Sequence, residues 1–275
     1  MSGASVSMRA AVFDIDGTLA VMDKVSHRYT ALPGAIAAIA ACRAAGLKTF
    51  AYTNGTFYPP RQYYPLLSSA GLGFDDGHIL TPASVAATFL AEQGHSRIMV
   101  LGADGTRLPL EEAGLNVVGP KPDTGEVDAV LIGWTSEFGL PDLEAVCEAV
   151  WNGARLYTVS DAPYFASAKG RMLGVSGAIS AMVAQATEQR PMVIGKPSTL
   201  GLKLISKLLD VEPSEMLVIG DDPKLEIRMA REAGALAIGV TTGIADAAAF
   251  ETAPEAIRAQ LVLQGLQEFN ESIWR

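Results

Sequence analysis

The chain has 275 residues, of which 49% are apolar, 19% charged and 7% aromatic. This ordinary globular composition excludes a disordered, collagen-like or long coiled-coil protein. Thirty Asp and Glu residues against 21 Lys and Arg residues give a formal net charge of -9, which opposes nonspecific binding to nucleic acid or to an anionic membrane. We therefore expect neither nucleic acid nor a membrane among its partners.

Cysteine usage and the absence of an apolar span point to the cytoplasm. No apolar run reaches the roughly 18 residues that a membrane span needs, and the N-terminus does not have the pattern of a secretory signal. The two cysteines, Cys42 and Cys147, form neither a disulfide framework nor a Cys-x-x-Cys pair. Buried free thiols in a reducing compartment are the expectation, which predicts a cytoplasmic protein.

Short runs rich in Val, Ile and Leu alternate with segments of helical period along the chain. This alternation is typical of an α/β protein, in which crossover helices connect the strands of a parallel sheet. The predicted strands are residues 10–14, 48–53, 97–101, 127–132, 155–159, 192–194, 216–220 and 236–240. The predicted helices are residues 33–45, 60–70, 105–113, 141–152, 177–187, 199–209 and 224–233.

The middle of the chain repeats the alternation on its own. We therefore predict a second domain at residues 95–190, inserted into a core that consists of residues 1–94 and 191–275. The strand at 192–194 is compatible with either layer.

Two acidic residues follow the first predicted strand in the run FDIDGTL, residues 13–19. Side chains alternate along an extended chain, so we expect Asp14 and Asp16 to point to the same side at the strand's carboxyl end. Two carboxylates there repel each other unless a cation or a proton lies between them, and open α/β sheets bind ligands at this edge. Gly17 lets the chain turn and leaves backbone N–H groups for anionic oxygens.

Two further polar clusters follow predicted strands in the same way. The run YTNGT, residues 52–56, offers the hydroxyl of Thr53 and the amide of Asn54, which suit phosphate oxygens. The run GKPS, residues 195–198, offers the ammonium group of Lys196 just before a predicted helix. Each cluster alone is a weak signal, but their order and their positions after strands favour one anion site.

A fourth cluster, GDDP at residues 220–223, follows a strongly apolar run. It adds the carboxylates of Asp221 and Asp222, with Glu226 one turn further on. Hard oxygen ligands of this kind, without histidine, suit Mg²⁺.

Together the four clusters resemble the motifs of the haloacid dehalogenase superfamily, and within it the subfamily IIA phosphatases with a type 2 cap (the NagD-like group). The resemblance covers nearly the whole chain. It implies a Rossmann-like core with a parallel sheet plus an inserted α/β cap domain of the C2 type. It also implies a hydrolase that acts on a small phosphorylated metabolite, and it makes a homodimer one alternative, since caps in related proteins often mediate dimers.

The resemblance also implies the roles of the acidic residues. Asp14 is then the nucleophile and Asp16 the general acid and base. Mg²⁺ is then held by Asp14, the backbone carbonyl of Asp16 and Asp221, with Asp222 and Glu226 near the metal.

For the phosphoryl group, the resemblance implies binding by Thr53 and Lys196, with Asn54 close to it or to the substrate. The spacing of the motifs supports the subclass independently. The 37 residues from Asp16 to Thr53 leave room for one helix but not for a helical cap, whereas the 143 residues from Thr53 to Lys196 accommodate an inserted α/β domain.

The implied chemistry explains why these residue types are needed. A phosphate monoester is a dianion, so an attacking carboxylate needs compensating positive charge from Mg²⁺ and from Lys196. Attack by Asp14 forms an aspartyl-phosphate and divides the hydrolysis into two steps. Asp16 gives a proton to the leaving alkoxide in the first step and takes one from water in the second.

The sequence departs from the family pattern at two places. The acidic motif usually resembles Gly-Asp-x-x-x-Thr-Asp, but here Leu225 stands in place of the Thr and Glu226 in place of the second Asp. The family often has Thr-Asn-x-Asp in the cap, where this chain has Val159 in place of the Asn. The first departure bears on metal affinity, and the second on the choice of substrate.

A predicted cap loop, DAPYFASAKGRMLG at residues 161–174, follows one of the cap strands. A loop of this composition offers an aromatic face and cationic groups to a substrate. Its candidate substrate residues are Asp161, Tyr164, Lys169 and Arg171.

Three other functions stay open at this point. A phosphotransferase or phosphomutase shares the first half-reaction and differs only in the acceptor. A phospho-ligand binding protein without turnover is compatible with the departures at Val159, Leu225 and Glu226. Dehalogenation is disfavoured because a halide leaving group needs no proton from Asp16. The sequence does not identify the substrate, and nucleotide monophosphates, sugar phosphates, phosphoglycolate and pyridoxal phosphate are all compatible.

Overall fold

Two parallel β-sheets organise the chain, as the alternation of apolar runs and helical segments predicts. The computed structural model describes residues 7–23, 25–167 and 170–274, and only the backbone of residues 165–167, 170 and 171. The strands are β1 (Ala10–Phe13), β2 (Ala20–Met22), β3 (Tyr29–Ala31), β4 (Lys48–Tyr52), β5 (Ile79–Leu80), β6 (Arg97–Leu101), β7 (Asn116–Val118), β8 (Ala129–Ile132), β9 (Arg155–Thr158), β10 (Tyr164–Ser167), β11 (Gly170–Leu173), β12 (Met192–Val193), β13 (Met216–Gly220), β14 (Leu236–Val240) and β15 (Leu261–Leu263).

Helices connect most of these strands. The α-helices are α1 (Ala35–Ala44), α2 (Pro60–Ser69), α3 (Pro82–Glu92), α4 (Asp104–Glu112), α5 (Leu140–Trp151), α6 (Val175–Thr187), α7 (Leu200–Leu209), α8 (Arg228–Ala233) and α9 (Ala247–Glu251). A π-helical turn over Pro223–Ile227 leads directly into α8. Among the helices in the described part of the chain, none has the length and apolar character that crossing a bilayer requires.

The first compact unit consists of Met1–Thr53, Gln62–Leu80 and Gly201–Arg275. Its six-stranded sheet has the order β15-β14-β13-β1-β4-β5, and every pairing in it is parallel. All residues of β1 and β13 are buried, as expected for central strands of a parallel sheet that is covered on both faces. Strands β2 and β3 form a separate antiparallel hairpin just after the first acidic motif.

The second compact unit consists of Asn54–Arg61 and Thr81–Leu200. Its five-stranded sheet has the order β12-β9-β8-β6-β7 and is also parallel throughout. Helices α5 and α6 contact each other and contribute Val146, Val150, Ile179 and Val183 to an apolar cluster with β6, β8 and β9. The unit is thus an α/β structure with its own core.

The strand at 192–194, which the sequence leaves open, pairs with β9 as β12 and so belongs to the second sheet. Helix α3 contacts α4, which adds residues 81–94 to the same unit. The second unit is therefore larger than the predicted insertion at residues 95–190. The division into a core of 1–94 and 191–275 and a cap of 95–190 stays a prediction.

The structure corrects two predicted elements. Residues 161–174, predicted as a loop, contain the antiparallel hairpin of β10 and β11. The predicted helix 224–233 begins instead as the π-helical turn, and only its second half is α-helical. Other strands, such as β5 with two residues, are too short for a hydrophobic period to predict.

The cysteines are free and buried, as predicted. Burial raises the pKa of the Cys42 thiol to about 12 and also raises the pKa of Cys147. A thiol with so high a pKa is protonated at neutral pH, so Cys42 does not offer a reactive thiolate.

A close helix–strand contact fixes the end of β4, next to Thr53. Tyr52 is almost completely buried, and a Cβ added at Gly201 in α7 would overlap its ring. Only a glycine lets α7 approach the ring at this point. The contact holds the strand end that presents Thr53.

We expect Gly201→Ala to destabilise the protein by about 1–3 kcal/mol, because the added methyl group overpacks the Tyr52 ring. Thermal unfolding measures the effect, and Lys203→Ala, on the exposed side of the same helix, is the matched control. A Gly201→Ala variant that melts at or above the wild-type temperature would contradict the close packing of Gly201 against Tyr52.

Candidate active site

Three of the predicted site residues lie at the carboxyl edge of the six-stranded sheet. Asp14 follows β1, Thr53 follows β4 and Asp221 follows β13. Strand β1 lies between the other two, with Phe13 in register with Ile219 and Ala51. Because the three strands are parallel and in register, they end together and bring these side chains to one edge.

These three side chains are buried although they are polar. Asp14 and Asp221 are each 6% exposed and Thr53 is 2% exposed. Backbone hydrogen bonds continue the sheet past the strand ends: the Asp14 N–H donates to Ile219 O at 2.9 Å, and the Thr53 N–H donates to Leu80 O at 3.2 Å. The backbone positions of Asp14 and Thr53 are therefore fixed by the sheet.

Asp16 is placed by a tight turn and not by an extended strand. Strand β1 ends at Phe13, and Ile15 O accepts hydrogen bonds from the N–H groups of Leu19 and Ala20. Gly17 has a φ of 91°, which an L-residue with a side chain rarely adopts. Asp16 is exposed, unlike Asp14. The turn therefore gives the two carboxylates different environments, although the sequence predicts a common side for them.

The Asp221 carboxylate occupies a niche walled by glycine. Its Oδ2 accepts a hydrogen bond from the Ile244 N–H at 2.6 Å. A Cβ added at Gly17 would lie 2.6 Å from the same oxygen, and a Cβ added at Gly243 would overlap it. The backbone of two loops thus approaches the carboxylate more closely than side chains would allow.

The π-helical turn after Asp221 holds the two remaining acidic candidates. Asp222 caps the turn, with its Oδ1 accepting from the Lys224 N–H at 2.7 Å. Glu226 is 3% exposed, and its Oε2 accepts from the Asp222 N–H at 3.1 Å. Its side chain lies against Gly220, where an added Cβ would overlap it. Glu226 therefore stabilises the loop that carries Asp221 and Asp222 through this hydrogen bond.

The residues at this edge fit a hard divalent cation. Asp14 and Asp221 are buried carboxylates on neighbouring strands, and two like charges buried in this way repel each other unless a cation or a proton lies between them. Within the described residues there is no cluster of three or more His, Cys, Asp or Glu side chains with the geometry of a metal site. Two carboxylates suit Mg²⁺, which keeps several waters and is commonly bound by one or two carboxylates.

Lys196 lies in the second unit, because it follows β12 in the five-stranded sheet. Only 1% of its surface is exposed. Its N–H donates to Asn54 Oδ1 at 2.8 Å, and its carbonyl accepts from Asn54 Nδ2 at 2.9 Å. The Asn54 amide thus contacts the backbone of Lys196.

The candidate substrate residues of the second unit are only partly described. Asp161 is exposed, and Tyr164, at the start of β10, is 37% exposed. Arg171 lies in β11, opposite Ala166. Lys169 lies outside the described residues.

Val159, which departs from the family pattern, is buried with 1% exposure. Its N–H donates to Ile132 O at 2.9 Å, and its carbonyl accepts from the Gly195 N–H at 3.1 Å. Val159 thus extends β9 into the interior, where an apolar side chain avoids the cost of an unpaired amide.

Sequence reasoning missed the loop that follows β14. Thr242 Oγ1 donates to Gly17 O at 2.6 Å, and Gly243 and Ile244 surround the Asp221 carboxylate. A signal was present, because the run TTG at residues 241–243 also follows an apolar strand. Without a charged side chain it did not resemble a site.

Comparisons with known proteins agree on one family. Residues 11–116 match the model of the haloacid dehalogenase-like hydrolase family, and residues 193–269 match a second model described as HAD-hydrolase-like. All four predicted motifs lie within these two matches. The resemblance predicted from the motifs is therefore confirmed.

Individual relatives extend the likeness over nearly the whole chain. Sugar-phosphatase AraL of Bacillus subtilis is 28% identical over 242 residues, 87% of this chain and 85% of that protein. The structure of NagD from E. coli K-12 matches with a TM-score of 0.82 at 22% identity over 95% of this chain and 98% of NagD. A glycerol phosphate phosphatase from Mycobacterium tuberculosis, in complex with magnesium, matches with a TM-score of 0.84 at 22% identity over 98% of this chain and 78% of that chain. The predicted fold class, an α/β core with a cap, is confirmed.

We expect Gly243→Ala to weaken Mg²⁺ binding about 10- to 100-fold, because the new methyl group displaces the Asp221 carboxylate. Titration calorimetry with Mg²⁺ measures the change. Ile244→Ala is the matched control, since it keeps the backbone N–H that Asp221 accepts from. Unchanged Mg²⁺ affinity in a folded Gly243→Ala variant would show that Asp221 does not bind the metal.

Proposed function

The chain belongs to the haloacid dehalogenase-like hydrolases, and we propose that it is a Mg²⁺-dependent phosphatase that hydrolyses a small phosphorylated metabolite through an aspartyl-phosphate. The observation that carries the proposal is the pair of buried carboxylates, Asp14 and Asp221, at the ends of neighbouring parallel strands. Such a pair without a nearby cation is costly, whereas with one it forms a site for an anionic substrate.

In this proposal Asp14 is the nucleophile. Its carboxylate attacks the phosphorus atom, the bond to the leaving oxygen breaks, and an aspartyl-phosphate forms. The Asp14 backbone is held by the ladder to β13, which keeps the attacking oxygen in one position. Asp14, Asp221 and the backbone carbonyl of Asp16 would hold Mg²⁺, which would supply positive charge to offset the repulsion between the carboxylate and the phosphate dianion.

Asp16 moves the protons. In the first step it donates a proton to the leaving alkoxide, and in the second it accepts one from the water that hydrolyses the aspartyl-phosphate. Its exposure supports this role, because a general acid and base exchanges protons with substrate and water. Asp14, which is buried at the end of β1, is the nucleophile. In this proposal Asp14 forms the covalent bond to phosphorus and Asp16 transfers the protons.

Thr53 and Lys196 bind the phosphoryl oxygens in this proposal. Lys196 is almost completely buried, and its ammonium group offers a positive charge and hydrogen-bond donors to the phosphoryl oxygens. Asp222 and Glu226 act on the metal through the loop that carries Asp221, by the hydrogen bonds of the π-helical turn.

Substrate choice is assigned to the predicted cap. Asp161, Tyr164, Lys169 and Arg171 are the proposed contacts to the leaving group. The names of two relatives, a sugar phosphatase and a glycerol phosphate phosphatase, favour a polyol or sugar phosphate as the substrate. A homodimer and a cytoplasmic location are further parts of the proposal.

We expect Asp14→Asn to lower kcat for p-nitrophenyl phosphate by more than about 1,000-fold, because the amide is not a nucleophile. The near-identical shape of Asn predicts little loss of thermal stability. Asp76→Asn, at an exposed carboxylate, is the matched control. Phosphate release by Asp14→Asn at the wild-type rate would refute the assignment.

Phosphoryl transfer to another hydroxyl is the second candidate function, since it shares the aspartyl-phosphate. Adding glycerol or glucose at increasing concentration to the p-nitrophenyl phosphate assay separates the two. A hydrolase releases inorganic phosphate in a constant ratio to p-nitrophenol. A phosphotransferase gives less phosphate per p-nitrophenol as the acceptor concentration rises. A binding protein without turnover gives neither product.

A further inference from the structure

The side chain of Asn54 pairs with the backbone of Lys196 as a neighbouring strand would. The Lys196 N–H donates to Asn54 Oδ1 at 2.8 Å, and Asn54 Nδ2 donates to Lys196 O at 2.9 Å. The two residues are 142 positions apart in the sequence. The amide therefore reproduces the double hydrogen bond that two residues exchange in an antiparallel ladder. We call this pair of hydrogen bonds the amide clamp.

The residue before Lys196 is packed so closely that only glycine fits. A Cβ added at Gly195 would lie 2.6 Å from Asn54 Oδ1 and would overlap Val159 O. The Gly195 N–H donates to Val159 O at 3.1 Å on the β9 side. The segment that ends at Lys196 is thus held by β9 on one side and by the amide clamp on the other.

The amide clamp uses most of the hydrogen-bonding capacity of the Asn54 side chain. An amide group has one acceptor oxygen and two N–H donors. The oxygen and one donor are directed to the backbone of Lys196, which is itself 1% exposed. Asn54 also follows Thr53 directly in the chain. The clamp therefore joins Lys196 to the neighbour of the other proposed phosphate ligand.

We propose that Asn54 is a positioning residue, which fixes the backbone of Lys196 and thereby the place of its ammonium group, and that it does not bind the phosphoryl group itself. The inference rests on the proposed function, in which Lys196 binds phosphate. Without the clamp, the Lys196 ammonium group still reaches a phosphate dianion but is no longer held where the transferring group needs it. A misplacement of about 1 Å can cost about 100-fold in rate.

A double-mutant cycle tests this role. The four proteins are the wild type, Asn54→Ala, Lys196→Ala and the double variant, assayed with p-nitrophenyl phosphate at saturating Mg²⁺, with thermal unfolding as the check on folding. We expect Asn54→Ala to lower kcat/KM about 10- to 100-fold when Lys196 is present, mainly through kcat. In the Lys196→Ala background the same substitution has less than about a threefold effect, because the group that it positions is gone.

A second variant keeps the test decisive if Asn54→Ala does not fold. Asn54→Leu has a similar volume and adds no charge, but it loses both hydrogen bonds of the amide clamp. We expect its loss of kcat/KM to disappear in the Lys196→Ala background as well. Equal fold-losses in both backgrounds would show that Asn54 acts independently of Lys196, for example by binding phosphate, and would overturn the proposal.

The outcome also separates this inference from the proposed function. If Lys196→Ala alone leaves kcat/KM unchanged, the assignment of Lys196 to the phosphoryl group is wrong, and the positioning role falls with it. If Lys196→Ala lowers kcat/KM and the two losses multiply, the proposed function stands and only the role of Asn54 is overturned.

Discussion

The site depends on the burial of two carboxylates at the ends of adjacent strands. Asp14 and Asp221 are each 6% exposed, and β1 and β13, which carry them, are buried over their whole length. A parallel sheet covered on both faces offers few places for charge, and its carboxyl edge is the one that open α/β folds use for ligands. In the proposed function, the need to neutralise this pair connects the fold to a cation and, through the cation, to a phosphorylated substrate.

Glycine is what lets the backbone close around this charge. Gly17 and Gly243 come so near to Asp221 Oδ2 that no side chain fits, and the Ile244 N–H donates to the same oxygen. The carboxylate is thus oriented by backbone groups, which do not rotate away as side chains do. Orientation of this kind lowers the reorganisation needed when a ligand binds.

Sequence patterns predict the strands before Asp14 and Asp221 well. They predict the short strands of the second unit less well. The apolar run before Asp14 and the one before Asp221 became β1 and β13, because a hydrophobic run between turn residues is a strong signal. The sequence predicts a loop where β10 and β11 pair, because this segment lacks a regular alternation of apolar residues. Nor did any pattern indicate that Lys196 belongs to the second sheet, because β12 has only two residues and its pairing with β9 is a tertiary contact.

Leu225 and Glu226 depart from the acidic motif of the family, which by itself favours a binding protein without turnover. The structure weakens that argument. The extra methylene of Glu226 is accommodated over Gly220, and the carboxylate accepts from the Asp222 N–H inside the π-helical turn. π-helical turns are rare and occur frequently at functional sites. The local backbone thus adapts to the longer side chain and keeps Asp221 in its niche, where the Ile244 N–H still holds it. Two carboxylates buried at the ends of adjacent strands cost stability unless a positive charge or a proton lies between them, so this arrangement favours the proposed metal site over its loss.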